Sequence, residues 1–194
     1  MEECSITASN LTCRRGDRLL FAGLSLALTN GEALQITGPN GTGKSSLMRL
    51  LAGLMRPFAG EVTRIGAIAL VDERPALDDT LPLGRALAFW QSMDAGGADA
   101  ALLARLGIAN LLDVPVRYLS TGQRKRAALA RMIGQKAPLW LLDEPLNGLD
   151  TRAVALVEQL VAEHCANGGA AIIASHQSFA LPRLKQLALE DFPA

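Results

Sequence analysis

Apolar residues change rhythm along this chain, and each change marks an element. Between Ser5 and Thr29, short apolar patches (Ile6, Leu11, Leu19 to Phe21, Leu24, Leu26, Leu28) flank the turn signal Arg15-Gly16-Asp17 and predict strands of a β layer. Asn30-Gly31 turns the chain into an apolar run ending Leu34-Gln35-Ile36-Thr37. From Lys44 the period becomes helical, with Leu47, Leu50, Leu51 and Leu54 on one face and Gly53 and Pro57 as the stop. Gly60-Glu61-Val62 and Ile65 to Val71 read as further strands. Beyond Pro75 the chain turns Ala- and Leu-rich, which predicts helices over Leu83 to Met93 and Ala100 to Leu112, parted by Asp94-Ala95-Gly96-Gly97. Leu139 to Leu142 and Ala170 to Ala174 are unbroken apolar runs, as parallel strands covered on both faces require. Between them Val154, Val157, Leu160 and Val161 predict an amphipathic helix ending near Gly168-Gly169. The alternation of strand and helix gives an α/β class.

Length and composition narrow this further. At 194 residues the chain is read as a single domain spanning 1–194, with a helical lobe over about residues 75–135 inserted in its core. Its 19 basic and 19 acidic side chains cancel, which argues against a general nucleic-acid binder. Cys4, Cys13 and Cys165 are odd in number and match no metal spacing, so reduced thiols in a cytosolic protein are expected. The start Met1-Glu2-Glu3-Cys4 lacks the basic-then-apolar layout of a secretory signal, and no apolar run approaches the ~18 residues of a membrane helix. A membrane, if involved, is expected to be met from beside it.

Three stretches carry chemistry. The first is Gly38-Pro39-Asn40-Gly41-Thr42-Gly43-Lys44-Ser45-Ser46, between a strand and a helix. Its glycines admit positive φ and let backbone N–H groups converge on an anion, and the helix start adds its dipole. Lys44 is expected to supply a cation to the β- and γ-phosphates, Ser45 a hydroxyl to Mg²⁺, and Ser46 a further phosphate hydrogen bond. The second stretch is Leu139 to Pro145, where Asp143 and Glu144 follow a buried strand. Asp143 is expected to hold Mg²⁺ through water and Glu144 to orient or deprotonate the water attacking the γ-phosphate. The third is Leu119-Ser120-Thr121-Gly122-Gln123, followed by Arg124-Lys125-Arg126. Three basic residues there oppose the dipole of the helix they begin, which suggests either a nearby anion or a solvated helix start.

Together these stretches resemble the ATP-binding cassette (ABC) family, whose order the chain follows from about Leu11 to His176. The third signature position is usually Gly and here is Thr121. The resemblance implies a P-loop NTPase of ABC type, with a RecA-like parallel-sheet core, an N-terminal antiparallel β layer and the inserted helical lobe. It implies ATP and Mg²⁺ as ligands and a head-to-tail homodimer of cassettes on ATP binding. Carried over by position, Ser120, Thr121, Gly122 and Gln123 would face the partner's nucleotide, and Asp150 in Asn147-Gly148-Leu149-Asp150 would communicate between sites. His176 would be the catalytic switch histidine, although by itself it is an ordinary loop histidine. His164 reads as structural.

Two departures stand out. The place of the family's adenine-stacking aromatic holds Arg15, whose guanidinium can also stack on a base. The glutamine expected after the strand ending near Val71 is replaced by Arg74, with Glu73 beside it as a further candidate for the metal.

A finer resemblance is to the ATP-binding subunits of the haem exporters of bacterial cytochrome c biogenesis. It rests on the short chain, Arg15, Leu20-Phe21-Ala22-Gly23-Leu24-Ser25, Gln35-Ile36-Thr37-Gly38, the helix Gln123 to Met132, and Leu81 to Trp90. Phe89 and Trp90 are expected in the core of the lobe. This resemblance implies an ATP hydrolase coupled to export, bound to two integral membrane subunits on the cytoplasmic face of the inner membrane; no haem ligand is assigned to the chain. The alternatives are the ATPase of another small-molecule exporter and an ATP-binding assembly module with low turnover.

Overall fold

The computed structural model describes residues 3–194 apart from Arg74 and Ala95. The substitution expected at Arg74, the first two residues of the start, and the Ala95 of the interhelical break therefore lie outside the described residues.

Two sheets form the frame. β1 (Ser5–Arg15), β2 (Arg18–Thr29) and β4 (Ala59–Ile65) make an antiparallel sheet in the order β2-β1-β4. β5 (Ile68–Val71), β6 (Leu139–Asp143), β7 (Ala170–Ala174), β3 (Ala33–Thr37) and β8 (Lys185–Ala188) make a parallel sheet in the order β5-β6-β7-β3-β8. The continuous apolar runs of β6 and β7 are explained by the alternation of side chains across a strand. Leu139, Leu141, Ile172 and Ala174 join the core toward the antiparallel sheet, whereas Trp140, Leu142, Ala171 and Ile173 join a second core on the other face.

Helix α1 (Lys44–Leu51) belongs to the first core through Leu47, Met48, Leu50 and Leu51. The helices α2 (Leu83–Met93), α3 (Ala100–Arg105), α4 (Thr121–Gly134) and α5 (Thr151–Ala166) bury their apolar faces in the second. Each face of the parallel sheet is thus closed by a different layer, and its C-terminal edge is left to the loops.

The structure corrects three expectations and adds one strand that the sequence did not suggest. The stretch read as strand from Ile65 to Val71 is split: β4 ends the antiparallel sheet at Ile65, and after Gly66 the chain enters the parallel sheet at Ile68. The helix expected to run to Leu112 stops at Arg105, because Gly107 takes φ +64° and donates to Ala104 while Ile108 donates back to Leu103; a 3-10 turn over Ala109–Leu111 follows. Strand β8 carried no apolar signal, since it is a short edge strand with Lys185 and Gln186 exposed. Phe89 is 55% exposed rather than in the core. Its neighbour Trp90 is half-buried beneath the Arg131 guanidinium, 3.5 Å from the ring centroid, and donates to the Ala76 carbonyl.

Candidate nucleotide site

The loop from Gly38 to Gly43 joins the end of β3 to the start of α1 at the C-terminal edge of the parallel sheet, where open α/β folds bind ligands. Gly38, Gly41 and Gly43 have φ of +141°, +86° and +111°, a backbone that L side chains rarely adopt. Gly43 is also a point of close approach, since a Cβ there would stand 3.2 Å from Leu20 and Phe21 of β2. Lys44 is buried, and its Nζ donates to the carbonyls of Gly38 (2.6 Å) and Pro39 (3.1 Å). Thr42 Oγ1 also donates to Pro39. Ser46 meets the Cys13 thiol besides lining the crevice.

A cavity of about 490 Å³ opens against this loop. Asn40, Gly41, Gly43, Lys44, Ser45 and Ser46 supply one wall, and Glu73, Glu144, Asn147 and His176 another. Arg15 and Arg18 lie at the β1–β2 turn, cross-strand partners on either side of Gly16-Asp17, and both reach the cavity. Arg18 was not identified from sequence, although the two-residue turn was its signal.

Asp143 closes β6 and is almost wholly buried. Burial pushes its pKa above the usual carboxylate range; a hydrogen bond with Ser45 opposes this, and the neighbouring acids Glu144, Glu73 and Asp72 add to it. Its Oδ1 has no hydrogen-bond partner. A buried, unpartnered carboxylate oxygen beside a serine hydroxyl fits a hard, oxygen-preferring cation such as Mg²⁺. Among the described residues no cluster of three or more His, Cys, Asp or Glu could hold a metal unaided. Such a cation would complete its shell with phosphate and water.

Glu144 has a left-handed backbone, φ +46°, which costs a non-glycine residue on the order of 1–3 kcal/mol. Its N–H donates to Ala174 at 2.8 Å and its C=O accepts from Lys125 Nζ at 3.1 Å. The carboxylate then lies 2.9 Å from His176 Nδ1 and 3.8 Å from Lys44 Nζ. Three residues far apart in sequence therefore meet at one point. Gln177 Nε2 adds a bond to Asn147 Oδ1, tying the segment after β7 to the loop after β6.

The signature residues are elsewhere. Ser120 is the N-cap of α4 and forms a reciprocal capping box with Gln123. Ser120 and Thr121 line a separate cavity of about 420 Å³ with Glu73, Arg124 and Lys125. Gly122 packs against the loop before α5, where a Cβ would stand 2.9 Å from the Gly148 carbonyl. Asp150 caps α5 by accepting from Ala153 N–H.

The basic run after the signature needs no external anion, and it is not a solvated helix start either. Arg124 donates to the carbonyls of Leu119 and Arg117 and lies 3.5 Å from Asp79, and Arg126 donates to Gly122 and Leu106. Lys125 is buried; desolvation pushes its pKa down, and Asp143, Glu73, Asp72 and Glu144 oppose that. Its contact with Glu144 spans 19 residues and had no local signal in the sequence. His164 is stacked on Trp140 and bonded to the Pro138 carbonyl, away from this site.

Residues 21–147 match the family described as ABC transporter. The chain belongs to the ABC transporter family. It is an ATP-binding and ATP-hydrolysing cassette. It is 58% identical to the cytochrome c biogenesis ATP-binding export protein CcmA of Novosphingobium aromaticivorans, over 99% of both chains. Identity is 53% to the protein of the same name from Sphingopyxis alaskensis, over 95% of this chain and 96% of that one. Among solved structures, one described as a metal-chelate type ABC transporter in an inward-facing conformation superposes with a TM-score of 0.79 at 25% identity, covering 96% of this cassette and 80% of that chain. The ATP-binding subunit of another ABC transporter shares the fold, with a TM-score of 0.80 at 22% identity over 88% and 79% of the two chains.

Proposed function

We propose that this cassette is the ATP-hydrolysing subunit of a membrane complex that exports or releases haem for cytochrome c maturation. The observation that carries the reading is the 58% identity, over 99% of both chains, to an export protein of cytochrome c biogenesis. The site supports the hydrolytic part of it.

In this reading the glycine loop and Lys44 hold the β- and γ-phosphates, and Arg15 lies against the base. Ser45 and Asp143 hold Mg²⁺, with Glu73 at the rim of the same cavity. The ion when bound neutralises phosphate charge. Glu144 accepts a hydrogen bond from, and orients, the attacking water, while His176, bonded to Glu144, keeps that carboxylate turned toward the γ-phosphate. Ser120, Thr121, Gly122 and Gln123 close over the nucleotide of a second cassette in a head-to-tail dimer, and Asp150 lies on the loop between the two sites. Among the described residues no helix is long and apolar enough to cross a membrane. In the same reading, which rests on the likeness to an export protein, the cassette works with two integral membrane subunits, peripherally, on the cytoplasmic face of the inner membrane.

The test is deletion of the gene, followed by staining of membranes for covalently bound haem after complementation. Loss of c-type cytochromes restored by wild type but not by Lys44→Ala is the expected result. Persistence of the cytochromes in the deletion strain would remove haem as the cargo and leave an ATPase of another exporter.

A further inference from the structure

Lys125 stands at a junction to which the hydrolytic reading gives no role. It lies on α4, three residues beyond Gly122, with its side chain buried and its Nζ donating to the main-chain carbonyl of Glu144 at 3.1 Å. Glu144 has the left-handed backbone, and both of its flanking peptides are held. Its N–H donates to Ala174 at the end of β7. Its C=O accepts from Lys125 on α4 and, in a longer bond of 3.4 Å within its own loop, from the Asn147 N–H. A left-handed residue that is not glycine persists only where its surroundings hold it there. Rotation of either peptide would swing the carboxylate away from His176 at 2.9 Å and Lys44 at 3.8 Å. Among the described residues Lys125 supplies the side-chain donor to the Glu144 carbonyl, and so the link from that carbonyl to another element.

We infer that Lys125 is a positioning residue that locks Glu144 in its left-handed geometry and ties that geometry to the placement of α4. The inference rests on the reading of Glu144 as the carboxylate that orients water. Because the first turn of α4 carries Thr121, Gly122 and Gln123, a shift of that turn against a partner's nucleotide is passed to Glu144 through the Lys125 side chain. A buried ammonium suits this position, since it satisfies a carbonyl while offsetting the charge of the acids around it, Asp143 and Glu73 among them.

The experiment compares steady-state hydrolysis and nucleotide binding by the full chain carrying Lys125→Met, Lys125→Arg or Glu144→Gln. Lys125→Met keeps the unbranched apolar stem, one atom shorter, and removes the donor. It should lower kcat at least tenfold while KM and the nucleotide Kd stay within twofold, and Lys125→Arg, a cationic donor of similar reach, should recover most of the loss. An unchanged kcat in Lys125→Met beside an inactive Glu144→Gln would overturn the positioning role and leave the catalytic one standing. Parallel loss of kcat and nucleotide affinity would also overturn it, since that is the result of a merely structural lysine. Full activity in Glu144→Gln would instead remove the reading on which the inference rests. If Lys125→Met does not fold, Lys125→Gln, too short to span the contact, replaces it with the same expected and overturning results.

Discussion

In the proposed reading the base lies against Arg15, a guanidinium in place of an aromatic ring, with Arg18 across the turn and also lining the cavity. A guanidinium plane stacks on either purine and can donate to the carbonyl oxygen of guanine, so discrimination between ATP and GTP should be weak. Competition binding should show the two nucleotides within about fivefold of each other, given that stacking is worth only about 1 kcal/mol. Arg15→Tyr should shift the balance toward ATP. A strong wild-type preference for ATP that survives Arg15→Ala would place base recognition elsewhere. The residue scale is also where sequence was most and least informative. The glycine loop between β3 and α1 was legible because its small residues, lysine and hydroxyls are consecutive, and Asp143 and Glu144 because one ends an apolar strand and the other follows it. The meeting of Glu144 with Lys44, His176 and Lys125 was not legible from spacing, because it depends on how four separate segments pack.

At the scale of elements, two helices are fixed by features that a substitution can test. The start of α4 lies so close to the Gly148 carbonyl that Gly122→Ala must push the loop before α5 aside. The cost should be about 1–3 kcal/mol of stability, measured by denaturant unfolding, together with a fall in hydrolysis. An unchanged midpoint would mean that the loop yields freely. On α5, His164 is buried against Trp140, and burial depresses its pKa below the ordinary value of 6.5. The sign follows from linkage: the unfolded chain takes up a proton there that the native state resists. Native stability is therefore full above about pH 6.5 and declines as pH falls from 6.5 toward the depressed folded value. His164→Phe, which keeps the stack, should flatten the fall in Tm between pH 7 and pH 5.5; an unaltered slope would assign the pH dependence to other groups. The elements that sequence misplaced share a cause. β8 takes its strand conformation from pairing with β3 rather than from its own side chains, and α3 ends early because Gly107 turns the backbone.

For the whole molecule, the architecture read from sequence agrees with the structure: a parallel sheet, an antiparallel layer and helices between β5 and β6. The exposed side of α2, with Phe89 and Met93, did not follow from composition, because bulky apolar residues are usually buried and only packing reveals which are not. The cavity holding Lys44 and the cavity holding Ser120 are distinct in one chain, with Glu73 on the wall of both. Glu144→Gln should slow hydrolysis without weakening nucleotide binding, so that added ATP and Mg²⁺ move the protein from the elution volume of a monomer to that of a dimer. A monomer under those conditions would argue against closure by a second copy.

The separation of those two cavities also has an arithmetic. If every working centre borrows its phosphate loop from one chain and its signature from the other, a chain spoiled in the loop and a chain spoiled in the signature are both inert alone. Mixed in equal amounts, they pair at random, and half of the pairs bring two chains of different kinds together. Each such pair contains one centre with both halves intact and one with neither. Two inactive preparations would then yield activity when combined, up to about a quarter of the wild-type number of centres.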